Sequence, residues 1–394
     1  MQSNNIIDVL ENDEALSFID QNINGDIAEL SLKYAGKVDF DLTVCLQLID
    51  IYRRSKKKLP HFLDKKLAID KRSYEQCTSE AVAKYKASFI TGDKVIDITG
   101  GIGVDSLYLS ESFEKVKAIE RNEELHKLAV YNIEKLEIKN VERILGDGPE
   151  YLDFADWIYI DPDRRNKEIR SVALHNLEPN VLDLLPSLRL NSKKVYLKLS
   201  PLFDITMVWR VFEEASEVHL IAERGEIKEL GVVLDFENDV KTRFIHTIDV
   251  HSSFQKSFEY DSALMKTERA TQEESFSNLL IPNSLLVKSQ MAFRLLDGIF
   301  SSKHKEFDIF FSDIQALDGF RVFEILNQES FAVKGLRKQL KKRGVNQLNI
   351  LIKGLNQKAE TWHKKLGTKD GGDYYLVLLK SDKSQSYLCR LISS

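Results

Sequence analysis

The spacing of apolar residues divides the chain into a helical beginning and an alternating middle. Through about residue 90, the segments LTVCLQLIDIYRR and SEAVAKYKASFI carry apolar residues at helical intervals. From Lys94 onward, short β-branched runs (VIDI, VKAI, VERIL, WIYI and VYLKL) alternate with helix-like stretches. This alternation predicts βαβ units and a parallel sheet.

The spacing of later strands predicts the end of the sheet and the elements after it. Val218–Ala222 and Glu229–Phe236 are joined only by ERGEIK, so they must be antiparallel, because a parallel crossover needs a dozen or more residues. From Arg321 the pattern predicts a strand, a basic helix, a strand, a helix and a hairpin. We therefore predict a helical domain over 1–90, an α/β domain over 91–240, a small α+β domain over 241–320 and a basic module over 321–394.

The composition is that of a globular protein in a reducing compartment. Of 394 residues, 43% are hydrophobic and 30% are charged, which is ordinary for soluble domains. No apolar run approaches the ~20 residues of a membrane helix, and MQSNNIIDVLENDE lacks the features of an export signal. Cys45, Cys77 and Cys389 form no CxxC pair, so neither a metal site nor a disulfide framework is expected. We expect a cytoplasmic protein without membrane contact.

Basic residues concentrate in two zones although the net charge is -5. In the first zone only Asp64 and Asp70 oppose the cations, and in the second only Glu360 and Asp370. Two such zones on an acidic body predict contacts with a polyanion, and solvated helix faces are the alternative. The first zone comprises Arg53, Arg54, Lys56, Lys57, Lys58, Lys65, Lys66, Lys71 and Arg72. The second comprises Lys334, Arg337, Lys338, Lys341, Lys342, Arg343, Lys353, Lys358, Lys364, Lys365 and Lys369.

A glycine turn follows the first predicted strand, in KVIDITGGIGVDSLYLS. The strand ends in Asp97, and Thr99, Gly100, Gly101 and Gly103 lead into a helix that would point its amide groups at a ligand. The spacing GGxG differs from the dinucleotide pattern, since Asp105 stands where a third glycine would be. A carboxylate there suits a cofactor with a cationic sulfonium and ammonium better than a diphosphate. A tight turn without any ligand is the alternative.

Two further strand ends favour a nucleoside site. The second strand ends in Glu120, which is followed by Arg121 and Asn122. Glu120 lies about 20 residues past the glycines, where an acid can bind ribose hydroxyls. The third strand ends in Gly146-Asp147-Gly148, and Asp147 can accept a hydrogen bond from an adenine amino group. Because parallel strands end at one edge, these acids predict a single ligand site.

The fourth strand ends in Asp161-Pro162-Asp163-Arg164-Arg165. Here the chain resembles class I methyltransferases, in which an acid-Pro motif faces the methyl acceptor. Relatives with Asp-Pro-Pro-aromatic methylate amino groups on bases, which implies that Asp161 and the following carbonyl accept hydrogen bonds from an amine. Asp163 and Arg164 depart from that motif; an arginine can stack on a base or pair with phosphate, or the charges can form a local ion-pair cluster. No cysteine follows Pro162, which disfavours methylation at a ring carbon.

The segment Tyr74–Glu80, together with the glycine turn, is similar to bacterial methyltransferases that carry a THUMP-like domain. This resemblance implies a Rossmann-like class I methyltransferase sheet, a ferredoxin-like α+β domain over 241–320 and a THUMP-like domain over 321–394. It also implies that Gln76, Thr78 and Ser79 contact the cofactor, although Thr78 or Ser79 can instead cap the next helix. Without a cysteine cluster, no iron–sulfur centre is expected.

These observations together predict an S-adenosyl-L-methionine-dependent methyltransferase that acts on a base nitrogen of tRNA or rRNA. The alternatives are a methyltransferase of DNA, protein or a small molecule, and a non-catalytic RNA-binding protein with a remnant fold. The catalytic residues would be Asp161, Pro162, Asp163 and Arg164. RNA phosphates would be held by Lys56, Lys57, Lys58, Arg165, Lys338, Lys341, Lys342 and Arg343.

Overall fold

The computed structural model describes residues 2–164, 174–261, 276–330, 332–381 and 384–393, with the side chains of residues 2–4 and of Arg164 left out. Arg165, one of the predicted RNA contacts, lies outside the described residues. Two compact units make up the chain, Met1–Ser253 and Phe254–Ser394. This division is coarser than the four domains predicted from the sequence.

The first unit begins with helices that pack against the same core as the helices of the α/β region. Asn12, Asp26 and Asp41 start three of them, each accepting a hydrogen bond from a backbone N–H of the first turn. Buried residues of the helical part share one apolar cluster with Ile102 and Leu128, so no boundary separates two cores near residue 90. The helices are α1 (Gln2–Leu10), α2 (Asp13–Gln21), α3 (Ile27–Tyr34), α4 (Leu42–Lys58), α5 (Pro60–Asp64), α6 (Lys71–Gln76) and α7 (Glu80–Ala87).

The α/β part of the first unit contains the predicted sheet. Its strands are β1 (Gly92–Asp97), β2 (Phe113–Glu120), β3 (Val141–Leu145), β4 (Ala155–Ile160), the short pair β5 (Asp163–Arg164) and β6 (Leu177–Glu178), then β7 (Ser192–Leu199), β8 (Ala215–Glu223), β9 (Glu226–Asp235) and β10 (Phe244–Asp249). The helices between them are α8 (Val104–Leu109), α9 (Glu123–Lys135), α10 (Val181–Asn191) and α11 (Ile205–Val211).

Within Met1–Ser253, the strands of this sheet follow the order β10-β8-β9-β7-β4-β1-β2-β3. Five adjacent strands pair in parallel, in the order β7-β4-β1-β2-β3. Strand β9 is antiparallel to both β7 and β8. The predicted antiparallel hairpin is therefore confirmed. Strand β10 pairs with β8, so the sheet continues beyond the predicted boundary at residue 240.

The second unit is organised around a seven-stranded sheet of order β13-β14-β12-β15-β18-β17-β16. Strand β12 pairs with β15, so one sheet runs through the two small domains predicted on either side of residue 320. The elements are β11 (Gln255–Glu259), β12 (Asn278–Pro282), α12 (Ser284–Ser289), β13 (Ser301–Lys303), β14 (Phe310–Ser312), β15 (Phe320–Glu329), α13 (Val333–Lys342), β16 (Asn349–Lys353), α14 (Ala359–Leu366), β17 (Tyr374–Lys380) and β18 (Ser384–Ser393).

The last six elements follow the order predicted from Arg321 onward. Helix α12 ends at Ser289, because Gln290 takes a left-handed conformation at φ 60°. None of the helices in the described ranges has the length and apolarity needed to cross a membrane.

Candidate active site

Four acids lie along one edge of the sheet, as the sequence predicts. The parallel pairing of β1 through β4 aligns their carboxyl ends, where Asp97, Glu120, Asp147 and Asp161 end or follow the strands. Hydrogen bonds from backbone N–H groups to side chains are among those that tie these ends together. The Gly101 N–H donates to Glu120 Oε2 at 2.7 Å, and the Asp161 N–H donates to Thr99 Oγ1 at 2.7 Å.

Asp97 lies beneath the glycine turn rather than on its surface. Its side chain is buried and accepts hydrogen bonds from the Thr99 N–H at 3.0 Å and from Ser106 Oγ at 2.6 Å. Burial raises the pKa of Asp97 to about 6, although the hydrogen bonds from Ser106 and Thr99 oppose that increase. Asp97 therefore shapes the turn and the start of α8 from inside.

The backbone of the glycine turn is held by Arg143 on one side and is open on the other. Arg143 of β3 donates to the carbonyls of Gly100 at 3.2 Å and Gly101 at 2.8 Å, and a Cβ at Gly100 would lie 2.6 Å from the Arg143 Nη1. Gly101 has φ 49°, and a Cβ there would meet only the Thr99 carbonyl oxygen, at 3.8 Å. A ligand can therefore approach the backbone at Gly101.

Glu120 is oriented by backbone donors on both of its oxygens. Oε2 accepts the Gly101 N–H, and Oε1 accepts the Asn122 N–H at 2.7 Å. Each carboxylate oxygen retains a second lone pair for a ligand hydroxyl. Asn122 caps α9 by accepting the Leu125 N–H at 3.1 Å, and Arg121 forms an exposed ion pair with Glu178 at 2.7 Å. These two predicted cofactor residues thus have structural partners.

Asp147 and its flanking glycines form a close approach between the end of β3 and the end of β1. The Asp147 side chain is exposed and accepts no hydrogen bond from the described residues. Gly148 is buried, and a Cβ there would lie 2.1 Å from the Ile98 carbonyl oxygen. A Cβ at Gly146 would lie 2.4 Å from the Tyr151 ring. The glycines thus bring Asp147 to the cleft, where its carboxylate is available.

The segment before α7 reaches the same edge through Thr78 and Ser79. Ser79 caps α7 by accepting the Val82 N–H at 3.3 Å, and its hydroxyl donates to Glu223 at 2.8 Å. Thr78 is buried and donates to Asp105 Oδ2 at 2.8 Å. Gln76 is exposed, with Arg72 Nε 3.3 Å from its Oε1. The capping alternative therefore holds for Ser79, and Thr78 faces inward.

Asp105 belongs to a buried charge cluster that the sequence does not reveal. The Lys86 side chain is 1% exposed, and its ammonium lies 2.7 Å from Asp105 Oδ1 and 3.1 Å from Glu229 Oε2. Burial alone would raise the pKa of Asp105, but Lys86 and Lys198 outweigh burial and hold that pKa below its ordinary value. The first-turn carboxylate is therefore already paired with a cation of the protein, which weakens the expectation that it binds a cationic cofactor directly.

Two tyrosines complete this cluster. Lys86 Nζ donates to the Tyr159 hydroxyl at 2.7 Å, and the Tyr196 hydroxyl donates to Glu229 Oε1 at 2.6 Å. The two rings lie 5.4 Å apart and nearly parallel. Every charge of the cluster thus has a partner, as buried ionic groups require.

The predicted acceptor loop begins at Asp161, whose carboxylate is paired with Lys198. Lys198 Nζ lies 2.6 Å from Asp161 Oδ2 and 3.1 Å from Thr78 Oγ1. Burial alone would lower the pKa of Lys198, but Asp161, Glu229 and Asp105 outweigh burial and raise it. The lysine is therefore an ammonium ion at neutral pH. The Asp161 side chain keeps 38% of its surface exposed, so one side of it is open to an acceptor.

The rest of the acceptor loop is only partly described. Pro162 is half-buried and Asp163 is exposed. The backbone of Asp163 and Arg164 pairs with Glu178 and Leu177 of β6. Strand β6 also carries Glu178, the ion-pair partner of Arg121.

Sequence reasoning missed the cations of the site: Lys86, Arg143 and Lys198. The signal that could have found them is a charged residue inside a segment that is otherwise buried. Lys198 gives this signal, because it interrupts the buried run at the end of β7, whereas the residues of β3 are exposed or half-buried and give no such signal for Arg143. Such positions need a partner, but the sequence does not say which acid supplies it.

The predicted RNA contacts divide into exposed and internally engaged residues. Lys56 and Lys57 are exposed at the end of α4, whereas the Lys58 ammonium donates to the backbone carbonyls of Tyr74 and Glu75. Arg343 is exposed and donates to the Leu326 carbonyl at 3.1 Å. The exposed lysines of α13 are Lys338, Lys341 and Lys342.

A separate cluster of metal-ligand types lies on β8 and β10. Glu217 Oε2 is 2.9 Å from His219 Nε2 and 3.3 Å from His246 Nε2, and the Tyr85 hydroxyl is 2.8 Å from His219 Nδ1. Hydrogen bonds within the protein account for this arrangement, and the expected absence of a metal stays a prediction.

Comparison with known proteins gives two matching families. Residues 320–391 match the family described as THUMP domain-like. Residues 56–160 match the family described as protein-L-isoaspartate(D-aspartate) O-methyltransferase. The two matches fall in different compact units of the chain.

Individual proteins extend this similarity. The crystal structure of a Porphyromonas gingivalis W83 protein assigned as a methyltransferase has a TM-score of 0.82 and 24% identity, and the match covers 95% of this chain and 96% of that one. A Sulfolobus acidocaldarius protein assigned as a cobalt-precorrin-6B C(15)-methyltransferase (decarboxylating) is 30% identical over 118 residues, which cover 28% of this chain and 62% of that protein. The chain thus spans less than two thirds of that curated relative. Residues 56–160 are thus similar to a methyltransferase family and residues 320–391 to THUMP-like domains, and the chain shares the fold of a protein assigned as a methyltransferase.

Proposed function

We propose that this protein is a cytoplasmic S-adenosyl-L-methionine-dependent methyltransferase that modifies a base nitrogen of tRNA or rRNA. The observation that supports this most is the convergence at one sheet edge of an open glycine turn, two available carboxylates and Asp161. The coarser conclusion, a methyltransferase fold, rests on the comparisons. The cofactor and the acceptor are the parts that we propose.

The residues at this edge fit the cofactor. Open space above Gly101 admits a ligand against the backbone. Glu120 is held by two N–H groups and retains lone pairs for ribose hydroxyls, and Asp147 is exposed beside the turn. We therefore assign Gly101, Glu120 and Asp147 to cofactor contact. Asp97, Thr99, Gly100, Gly103 and Asp105 would shape the site.

Bound S-adenosylmethionine would supply a methyl group on a cationic sulfur, which leaves as a neutral thioether when the carbon–sulfur bond breaks. The protein must orient a nitrogen lone pair, since positioning two reactants in line can save about 7–11 kcal/mol. Asp161 is suited to this because its exposed side can accept a hydrogen bond from an amine. The proton that the nitrogen loses passes to water.

The RNA part of the proposal rests on the second unit. Residues 320–391 match the THUMP domain-like family, and α13 buries Leu336 and Leu340 while it exposes its lysines. An amphipathic helix with one basic face can neutralise phosphates. The departure from the aromatic motif at Arg164 is compatible with RNA, because a guanidinium can stack on a base.

Mass spectrometry of nucleosides tests the proposal directly. Total RNA from cells with and without the gene is digested, and we expect one methylated nucleoside to disappear without it. The purified protein should restore that nucleoside in vitro, whereas Asp161→Asn protein should not. A methyl label that enters protein or a small molecule but no RNA would instead establish the alternative acceptor classes. Calorimetry that detects no cofactor binding would favour the remnant-fold alternative.

A further inference from the structure

The Lys198 ammonium pairs with Asp161 at the start of the predicted acceptor loop, and its position is fixed by the fold. Strands β4 and β7 are parallel, with Ile160 opposite Leu197. The next residues, Asp161 and Lys198, therefore come side by side at the carboxyl ends of the two strands, and their charged atoms are 2.6 Å apart. Such a pair follows from strand register rather than from a chance contact of long side chains.

Lys198 is also fixed from its other side. Its ammonium lies 3.1 Å from Thr78 Oγ1, and Thr78 in turn donates to Asp105 Oδ2 at 2.8 Å. Asp105 is anchored by Lys86 at 2.7 Å. The lysine side chain is only 16% exposed. Contacts that lead through Thr78 to α8 and α7 thus hold the Lys198 ammonium in place independently of Asp161.

We propose that Lys198 is a positioning residue for Asp161, occupying one carboxylate oxygen so that the other is presented to the methyl acceptor. This inference rests on the proposed function of Asp161. The Asp161 backbone is held too, because its N–H donates to Thr99 Oγ1 at 2.7 Å. Because its backbone N–H and one carboxylate oxygen are both bonded, the Asp161 side chain has less freedom to rotate.

The pair also influences the charge of Asp161, whose pKa lies above its ordinary value because burial outweighs the effect of Lys198. The groups that influence it are Lys198 on β7, Lys86 on α7 and Asp105 on α8. Burial raises the pKa of Asp161, Lys198 lowers it more than Lys86 does, and Asp105 raises it. Without Lys198 the carboxyl group would become neutral at higher pH than it does now. A neutral carboxyl loses acceptor capacity, because one of its oxygens becomes a donor.

The first test measures methyl transfer to total RNA from cells that lack the gene, as a function of pH. Lys198→Met should move the acid limb of the profile upward by about one to three pH units, the range seen when a carboxylate loses a neighbouring cation. Lys198→Arg should keep the limb near its original pH. Lys194→Met is the matched control, because Lys194 lies on the same strand and contacts Asp235 at 3.5 Å instead. Calorimetry should show that cofactor affinity is retained in all three variants.

A loss of rate by the same factor at every pH in Lys198→Met, or an equal shift in Lys194→Met, would overturn the proposal. The measurement also separates this inference from the proposed function. If the unmodified protein methylates no RNA, the proposed function fails, and the unfolding free energy still tests the pair.

In the unfolding test, Lys198→Met is compared with Lys198→Met/Asp161→Asn as the pH rises. When the folded pKa of an acid exceeds its unfolded pKa, the protein loses stability as the pH rises between those two values. The single variant should therefore lose stability with pH relative to the double variant. This loss should be larger than the loss of the unmodified protein relative to Asp161→Asn, in which Lys198 is present. Equal losses in the two pairs would mean that Lys198 does not control the charge of Asp161.

Discussion

The buried carboxyl group of Asp97 should make the stability of the first unit depend on pH. Burial raises the pKa of Asp97 to about 6. The difference from an ordinary aspartate pKa of about 3.9 corresponds to about 3 kcal/mol when the group is fully ionised. Because the folded protein holds this proton more tightly than the unfolded chain, stability is lost as the pH rises from about 4 through about 6.

Asp97→Asn isolates this contribution. The asparagine oxygen can still accept the Thr99 N–H, and its amide group can donate to Ser106, so the turn should persist. Between about pH 5 and pH 7, the unmodified protein should lose about 1 kcal/mol more unfolding free energy than the variant. The quantity compared is the difference between the two proteins at each pH, in which the other titrating groups cancel.

Urea unfolding followed by tryptophan fluorescence provides the assay. Trp157 and Trp209 lie in the first unit, and Trp362→Phe in both proteins would remove the signal of the second. If the two proteins keep the same difference in stability at both pH values, Asp97 is already ionised in the folded state, and burial is not the dominant influence on it.

Three further predictions concern the site and the basic helix. Asp97→Ala should abolish cofactor binding measured by calorimetry, because the glycine turn loses its support. Asp161→Ala should spare cofactor binding and remove turnover. Equal loss of binding in both variants would contradict this division of roles. Gly148→Ala should lower the free energy of unfolding in urea by more than about 2 kcal/mol, since its Cβ would lie 2.1 Å from the Ile98 carbonyl oxygen. Gly335→Ala is the control and should be neutral or stabilising, because its Cβ would meet no atom within 4 Å. Removing three lysines of α13 should weaken RNA binding. It should also reduce the slope of log binding constant against log salt concentration by up to about 0.9 per lost phosphate contact. An unchanged slope in filter binding would exclude this face of α13 as an RNA contact. The lysines are Lys338, Lys341 and Lys342.

The sequence predicts the backbone of the site better than its charge balance. Glu120 and Asp161 could be placed because parallel strands end at one edge, and strand ends follow from hydrophobic periodicity. The pairing of Asp105 with Lys86 could not be placed, because Lys86 precedes the sheet and reaches it only through the packing of α7. Local spacing carries no information about such a contact. For the same reason Lys58 resembles an RNA contact in sequence but is bound to backbone carbonyls in the structure.

Domain boundaries show a similar limit. The pattern gives the order of the elements after Arg321, yet β12 and β15 pair across residue 320. Strand partners that are distant in sequence are not encoded in either strand's own periodicity. The hydrogen bonds of one sheet therefore cross the boundary predicted at residue 320.

A single hydroxyl joins the two loops on which methyl transfer would depend. Thr99 sits in the glycine turn, and its oxygen accepts the N–H of Asp161 at the start of the acceptor loop. If a ligand in the cleft displaces the turn, it changes the energy of the acceptor loop through this bond. Linkage is reciprocal, so an acceptor that favours the same loop position would strengthen cofactor binding by the same factor. Thr99→Val would then leave each ligand able to bind while removing the advantage of binding both together.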